Sequence, residues 1–379
     1  MKVLLVSQDF YPMKGGIATY LIQIIKNYFS RDKPKVLIPN NITKRKNFPE
    51  IKFPIEKIKF EPFVLPSKRS NKQFLKKLRE FKPDLVLFGY IRSHPEIMRE
   101  YKKINSSVKW GIVCHAKEIF LDEAIVKRTN DKGKQKGYTK KEVREYKNIL
   151  NSADFLLCVS NFTKSLLKKQ GIKNKNIFVI SPLLNKIPKR NKISKKEFSI
   201  LSVGRLIKRK GQKLVLESLI ELKKIIPEIK YSIVGDGPEM DKLKKFVEQN
   251  NLSKQVKFYG EISEKKLEGI YSKSNIFVLP TKFIKPNDME GFGIVFLEAN
   301  FYGMPVIGGN NGGVREAIKN NKTGFQINPN SKKELIKKIV FFYENREKLK
   351  KMGDSGRNRV KNNYYNKKNR NFVNYLRKS

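Results

Sequence analysis

Two charged groupings and three glycine turns are the parts of this 379-residue chain best suited to chemistry. The first grouping is Arg205 with Lys210, in the run Gly204-Arg205-Leu206-Ile207-Lys208-Arg209-Lys210-Gly211. A planar guanidinium fork beside a mobile ammonium suits a diphosphate, whose charge grows when it departs as a leaving group. A solvated basic loop would have the same composition. The second grouping is Glu290 with Glu298, in the run Glu290-Gly291-Phe292-Gly293-Ile294-Val295-Phe296-Leu297-Glu298. Glu290 precedes a glycine turn, and Glu298 lies on a helix expected to begin near Ile294. Each carboxylate can accept hydrogen bonds from vicinal hydroxyls, one suiting a sugar ring and the other a ribose. Capping and dipole compensation explain one glutamate but not the whole run. The three glycine turns are Lys14-Gly15-Gly16-Ile17, Glu290-Gly291-Phe292-Gly293-Ile294 and Asn311-Gly312-Gly313-Val314. Glycine lets a ligand approach the backbone, and the helix that follows presents unpaired N–H groups suited to phosphate or carboxylate.

His115 ends an apolar run and is followed by Ala116-Lys117-Glu118, where structural and catalytic roles are both open. His94, before Pro95, has no supporting context. No G-x-x-x-x-G-K-[ST] occurs, which disfavours a P-loop NTPase, and no G-x-S-x-G occurs, which disfavours an esterase. No Asp-x-Asp is present to bridge a metal and a diphosphate, so side-chain cations would have to replace Mg²⁺.

Short β-rich runs alternate with longer helical patterns almost throughout. Lys2–Ser7, Lys35–Pro39, Asp84–Gly89, Lys109–His115, Phe155–Ser160 and Ile177–Ser181 read as strands. Ile17–Phe29 and Asn71–Phe81 read as helices. After a polar, lysine-rich stretch at Asn185–Glu197 the alternation restarts, with strands at Phe198–Val203, Lys230–Val234, Val256–Gly260, Ile276–Pro280 and Pro305–Gly308. Helices are expected at Lys213–Ile226 and Met240–Asn250. Strands alternating with helices imply parallel sheets with right-handed crossovers. Two such series predict an α/β protein of two doubly wound, Rossmann-like domains facing a cleft. The expected division is residues 1–190 and 191–360. Residues 127–147 read as an exposed loop entering a helix around Lys141–Leu150. The tail from Val360 carries enough aromatic surface to dock a terminal helix.

The net charge of +47 is the most prominent number. Residues 1–200 hold 45 basic and 17 acidic side chains and the remainder 37 and 18, so the excess belongs to no single region. A base-composition bias of the genome accounts for this as well as an anionic partner does. Among such partners a membrane surface or a phosphorylated substrate ranks ahead of nucleic acid. The basic stretch Ser67–Arg79 is read either as a plain solvated helix or as a rest for anionic lipid near a lipid-linked acceptor. Two cysteines and two histidines, far apart in sequence, make neither a zinc site nor a disulfide framework, which points to a reducing compartment. The N-terminal apolar run is too short for a signal peptide, and no stretch reaches the roughly 20 apolar residues that span a bilayer. The expected location is therefore cytoplasmic, with peripheral attachment to the inner face of the membrane left open.

The run from Glu290 to Glu298 and Ala299 resembles the E-x7-E signature of the family 4 retaining glycosyltransferases. The likeness continues through Gly303-Met304-Pro305-Val306-Ile307 and Gly312-Gly313-Val314-Arg315-Glu316. It also includes Gly204-Arg205, Lys210-Gly211, Val234-Gly235-Asp236-Gly237-Pro238, Phe258-Tyr259-Gly260 and Gly15-Gly16, in the family's order. Val278-Leu279-Pro280-Thr281 followed by Met289-Glu290-Gly291 looks closest to the phosphatidylinositol-mannoside mannosyltransferase branch. The resemblance covers nearly the whole chain and is most specific in the C-terminal half. It departs from the family at Ser181-Pro182-Leu183-Leu184-Asn185, where many members have Asn-Gly-Val-Asp.

The resemblance implies the GT-B fold, with a last helix in residues 361–379 crossing back onto the N-terminal, acceptor-side domain. It implies that Arg205 and Lys210 bind the donor diphosphate and that Glu298 holds the ribose. Glu290, with main-chain N–H groups of Gly291, Phe292 and Gly293 at the start of the helix from Ile294, would hold the transferred sugar. Gly16, beside Gly15, would approach the phosphate, His115 would lie near the donor sugar, and the loop at Glu261-Ile262 would meet the base. Gly204, Gly235 and Gly237 fall in the same donor set. The expected reaction moves a hexose from GDP-mannose or a UDP-sugar to a glycan or lipid-linked acceptor, with retention and with neither cofactor nor metal. A catalytically silent nucleotide-sugar-binding subunit and a basic nucleic-acid-binding protein are the alternatives; no helix-turn-helix, RRM or zinc pattern supports the latter.

Overall fold

The computed structural model describes residues 1–10, 15–39, 53–58, 68–91, 93, 95–119, 128–129, 135–136, 140–184, 188, 197–284, 288–365 and 368–377. His94, Ser67 and most of the stretches 120–139 and 185–197 lie outside them. The chain divides into two compact units: Met1–Leu183 with Lys368–Ser379, and Leu184–Ile284 with Asp288–Lys367.

In the first unit, strands β1 (Lys2–Val6), β2 (Lys33–Pro39), β3 (Ile55–Ile58), β4 (Leu85–Phe88) and β5 (Lys109–Cys114) precede a short antiparallel pair, β6 (Arg128–Thr129) and β7 (Gln135–Lys136). β8 (Phe155–Cys158) and β9 (Ile177–Val179) follow. Apart from β6 and β7 these form one seven-stranded sheet in the order β3-β2-β1-β4-β5-β8-β9, parallel throughout. Helices α1 (Gly16–Tyr28), α2 (Lys68–Phe81), α3 (Met98–Ile104), α4 (Lys140–Ser152) and α5 (Asn161–Lys169) connect the strands. Parallel strands are covered on both faces, which is why β4 is an unbroken apolar run, Leu-Val-Leu-Phe, buried at every position. α1 buries Tyr20, Leu21, Ile24 and Ile25 at helical spacing, and the Tyr20 hydroxyl donates to the Ile180 carbonyl at 2.7 Å. β3 carries no apolar run: it is an edge strand with charged Glu56 and Lys57 along it, the usual protection of an edge. That composition hid it from a reading based on hydrophobic runs.

The second unit has β10 (Phe198–Val203), β11 (Ile229–Val234), β12 (Val256–Gly260), β13 (Ile276–Leu279), β14 (Val306–Gly309) and β15 (Gly324–Ile327). They form a parallel six-stranded sheet in the order β12-β11-β10-β13-β14-β15. Its helices are α6 (Gln212–Ile225), α7 (Met240–Gln249), α8 (Glu264–Lys273), α9 (Ile294–Phe301), α10 (Val314–Ala317), α11 (Lys332–Glu344) and α12 (Arg346–Tyr364). Phe198, Ile200, Tyr231, Ile233 and Val278 from the sheet join Leu219 and Leu335 from the helices in one core.

Both sheets are doubly wound. The strand order reverses between β1 and β4 in the first and between β10 and β13 in the second, and ligands of such sheets bind outside the carboxyl ends at that reversal. The tail is two helices rather than one. α12 runs through Tyr364, Tyr365 is extended, and a new helix, α13 (Arg370–Arg377), starts beyond Asn369 and belongs to the first unit. The Asn369 side chain accepts from the Phe372 N–H at 3.1 Å, a helix N-cap that no apolar periodicity reveals. Phe372 is fully buried, with its ring against those of Tyr28, Phe155 and Phe178.

Candidate active site

The loop after β10 contains the basic run, and the structure separates its members sharply. Lys208, Arg209 and Lys210 form a 3-10 turn that Gly211 closes at φ 77°. Arg209 and Lys210 point inward, with side chains only 13% and 12% exposed, whereas Arg205 is exposed. A solvated basic loop is thus the wrong description for two of these cations.

Their partner is Glu290. Its Oε2 accepts from Arg209 Nη1 and from Lys210 Nζ, each at 2.6 Å, and the Arg209 Nε lies 3.1 Å from Asp288 Oδ1. Burial alone would raise the Glu290 carboxyl, but the charges of Lys210 and Arg209 outweigh it and hold the group down at about 2. Glu290 is therefore an anion and a hydrogen-bond acceptor at neutral pH, unsuited to donating a proton. Burial likewise opposes the charge on Arg209, and Glu290 and Asp288 more than compensate, raising its pKa.

The glycine turn behind Glu290 leads into α9 as expected: Gly293 is the N-cap residue at φ 93°, and Ile294 is the first helical position. Phe292 is buried, its ring 6.0 Å from that of Tyr364. Glu298 lies in the second turn of α9, where its Oε2 accepts from the Tyr271 hydroxyl at 2.9 Å. Burial raises the Glu298 carboxyl, an effect the Tyr271 hydrogen bond partly offsets and Glu264 reinforces. The Tyr271 ring is stacked on Tyr302 at 5.0 Å and 7°.

The third glycine turn, Asn311-Gly312-Gly313, has an internal purpose. The Gly313 N–H donates to the Glu290 carbonyl at 2.9 Å, and a Cβ on Gly313 would sit 1.9 Å from the Gly291 carbonyl oxygen. These glycines let the Glu290 loop lie directly on its neighbour, so their presence is explained without a bound anion. The same holds for Gly235 and Gly237: a Cβ at either would come within 2.1 Å of the Gly204 oxygen or 2.4 Å of the Leu206 oxygen. Glu261 is exposed and Ile262 half-buried where β12 turns into α8.

In the first unit, Gly15 and Gly16 open α1 after β1, and a Cβ at either would meet no described atom within 4 Å. Packing among the described residues therefore does not account for glycine there. His115 follows β5, with Nε2 2.9 Å from the Gly89 carbonyl oxygen and its ring edge-on to Tyr20 at 5.7 Å. Its main-chain N–H donates to Glu118, and Ala116 stands at φ 115°, a strained value for a residue with a side chain. Burial lowers His115 to about 4, against smaller raising effects from Gly89 and Asp9, so the imidazole is neutral at pH 7.

The structure thus brings Lys210 and Glu290 into contact, leaves Arg205 exposed nearby in sequence, and places Glu298 farther along α9. Sequence reasoning missed Arg209, Asp288 and Tyr271. Within Lys208-Arg209-Lys210 no spacing rule tells which cation points inward, because that depends on the loop after β13. Asp288 stands two residues before Glu290, the only local cue to its partnership with Arg209.

Residues 185–359 match the model of the glycosyl transferases group 1, and residues 14–185 match that of glycosyltransferase family 4. The GDP-mannose-dependent alpha-(1-6)-phosphatidylinositol monomannoside mannosyltransferase of Mycobacterium tuberculosis is 31% identical over 160 residues, 42% of this chain and 42% of that protein. The match thus spans less than half the length of that relative. An uncharacterized glycosyltransferase of Methanocaldococcus jannaschii is 23% identical across 94% of this chain and 92% of its own. Anabaena HepE, solved in complex with UDP-glucose, superposes with a TM-score of 0.74 at 18% identity, over 99% of this chain and 98% of that one. Sucrose-phosphate synthase from Thermosynechococcus elongatus gives 0.77 at 19% identity, over 99% and 97%. The fold is therefore that of the GT-B glycosyltransferases. With adjoining models matched from residue 14 to residue 359, over two doubly wound parallel sheets, the chain belongs to the family 4, group 1 glycosyltransferases.

Proposed function

We propose that the protein transfers a hexose from a nucleoside-diphosphate sugar to a hydroxyl of a glycan or lipid-linked acceptor, with retention at the anomeric carbon and without a metal ion. The observation that carries this reading is the inward pair Arg209 and Lys210 on Glu290, at the carboxyl ends of β10 and β13. Cations, an ionised carboxylate and a helix N-terminus stand together there, as a diphosphate bonded to a polyhydroxylated ring requires. Arg205 and Lys210 take the diphosphate and stabilise the charge it gains on leaving. Glu290 accepts from hydroxyls of the transferred sugar, and Glu298 accepts from the ribose. Within the first unit, the candidate ligand contacts are Gly16, for a phosphate, and the neutral His115, for a sugar hydroxyl. No side chain is assigned as a nucleophile on the sugar. The acceptor attacks the face the diphosphate leaves, and the departing diphosphate oxygen takes the acceptor's proton. Fixed charges and dipoles aimed at the leaving group lower the barrier.

GDP-mannose is favoured over UDP-sugars by the donor named for the mycobacterial relative, while UDP-glucose is the ligand of the structural neighbour. Lys72, Lys76 and Arg79 are exposed on α2, a basic face that suits an anionic lipid surface on the acceptor side. Thermal-shift measurements with GDP-mannose, UDP-glucose, UDP-galactose and UDP-N-acetylglucosamine, with and without EDTA, test the donor. Transfer and donor-hydrolysis assays follow with whichever binds. Arg205→Met and Lys210→Met are each expected to lower turnover by roughly 10²–10³ with the fold retained. Donor binding without hydrolysis or transfer would identify a silent binding subunit. Unchanged turnover in both variants, or a requirement for Mg²⁺, would overturn the proposal.

A further inference from the structure

We infer that Arg209 is a positioning residue, which keeps the Glu290 carboxylate neutralised and in place while Lys210 leaves it for the donor diphosphate. The inference rests on the donor site proposed above and assigns a task to a residue outside that set.

Glu290 Oε2 is shared by two cations held in very different ways. Arg209 grips the connection between β13 and α9 at three points. Nη1 is 2.6 Å from Glu290, Nε is 3.1 Å from Asp288, and its carbonyl accepts from the Lys282 N–H at 2.8 Å. Asp288 is itself pinned, since it and Ile284 exchange two main-chain hydrogen bonds, both 2.9 Å. Lys210 Nζ has one ion-pair contact among the described residues, the 2.6 Å bond to Glu290. Its stem runs beside Gly204, where a Cβ would lie 3.7 Å from Lys210 Cε. A flexible stem with one partner can exchange it, whereas a planar fork bridging two carboxylates cannot turn without breaking both contacts.

Charge makes the arrangement necessary. A diphosphate on Lys210 takes away one of the two cations on Glu290 and brings further negative charge beside it. Without Arg209, two anions would face each other in a partly buried site, where their repulsion is much stronger than in water. The charged groups acting on Glu290 among the described residues are Lys210 and Arg209, with Asp288 acting through Arg209. The turn at Gly312-Gly313 presents main chain to it.

The test uses the full chain with GDP-mannose and UDP-glucose, whose diphosphates do not titrate between about pH 5 and 8. Wild type should bind one of them with an affinity flat over that range. Arg209→Met should weaken binding by roughly ten- to hundredfold at neutral pH, and binding should recover as the pH falls, because protonating Glu290 removes the repulsion. Donor KM should rise by a larger factor than kcat falls. Arg209→Lys should not rescue, since an ammonium cannot span Asp288 and Glu290 at once. Asp288→Asn should shift binding in the same direction by less, and it carries the test if Arg209→Met does not fold. Wild-type affinity with a flat pH profile in Arg209→Met, or in Asp288→Asn when that variant alone folds, would overturn the inference while leaving the proposed function standing. If wild type binds neither, the same measurements are made with whichever of UDP-galactose and UDP-N-acetylglucosamine it binds, and failure to bind any of the four would overturn both.

Discussion

Glu290→Gln isolates the electrostatic link between the basic loop and the helix that carries Glu298. The substitution preserves shape and removes the charge on which Arg209 and Lys210 converge, each at 2.6 Å. With the folded carboxyl at about 2 and an ordinary value of 4.5, the difference of roughly 2.5 units corresponds to about 3 kcal/mol of stability at neutral pH. The folded value is the lower one. The contribution is therefore complete above 4.5 and is lost as the pH falls through about 2, with about 2 kcal/mol gone near pH 3. Urea unfolding followed by far-ultraviolet circular dichroism, at about pH 7 and about pH 3, measures both terms. The variant should be less stable by about 3 kcal/mol at neutral pH, and the gap should narrow by about 2 kcal/mol in acid. Other titrating groups are common to both proteins and largely cancel in the difference. A gap of constant size would show that Glu290 does not titrate as an ion-paired carboxylate, and the electrostatic account of the site would fall with it.

Gly235→Ala should cost about 2–4 kcal/mol in thermal or urea unfolding, because its Cβ would meet the Gly204 oxygen at 2.1 Å from a backbone at φ 126°. Gly16→Ala, with no described atom within 4 Å, should change stability by less than about 0.5 kcal/mol yet weaken sugar-nucleotide binding. Equal destabilisation by the two would contradict this division of packing from ligand glycines. Phe372→Ala should cost about 3–4 kcal/mol and expose the tail to limited proteolysis, since the ring is wholly buried against Tyr28, Phe155 and Phe178. The His115 ring, followed by NMR, should titrate near 4, and its contribution to stability, complete above 6.5, should be lost progressively as the pH falls from there through about 4. Titration near 6.5 would mean that the imidazole is not desolvated.

The order of strands and helices was legible in the sequence because parallel strands covered on both faces are written as apolar runs, as in β1, β4 and β10. Glycines before α1 and α9 marked the turns, and the spacing from Glu290 to Glu298 marked the helix between them. These signals are local: each depends on a residue and its near neighbours along the chain. The charged edge strand β3 and the division of the tail into α12 and α13 were not legible, since one depends on sheet position and the other on a side-chain cap. Nor did the sequence reveal that Arg209 turns inward beside Lys210 while Lys208 stays exposed. That choice belongs to tertiary structure, because the partners Asp288 and Glu290 lie some 80 residues downstream and reach the basic loop only when β13 pairs beside β10. The two jobs that glycine does divide in the same way. A sequence shows that position 235 and position 16 lack a side chain, but only the packed fold shows that the first is pressed against a neighbouring carbonyl and that no described atom stands so close to the second.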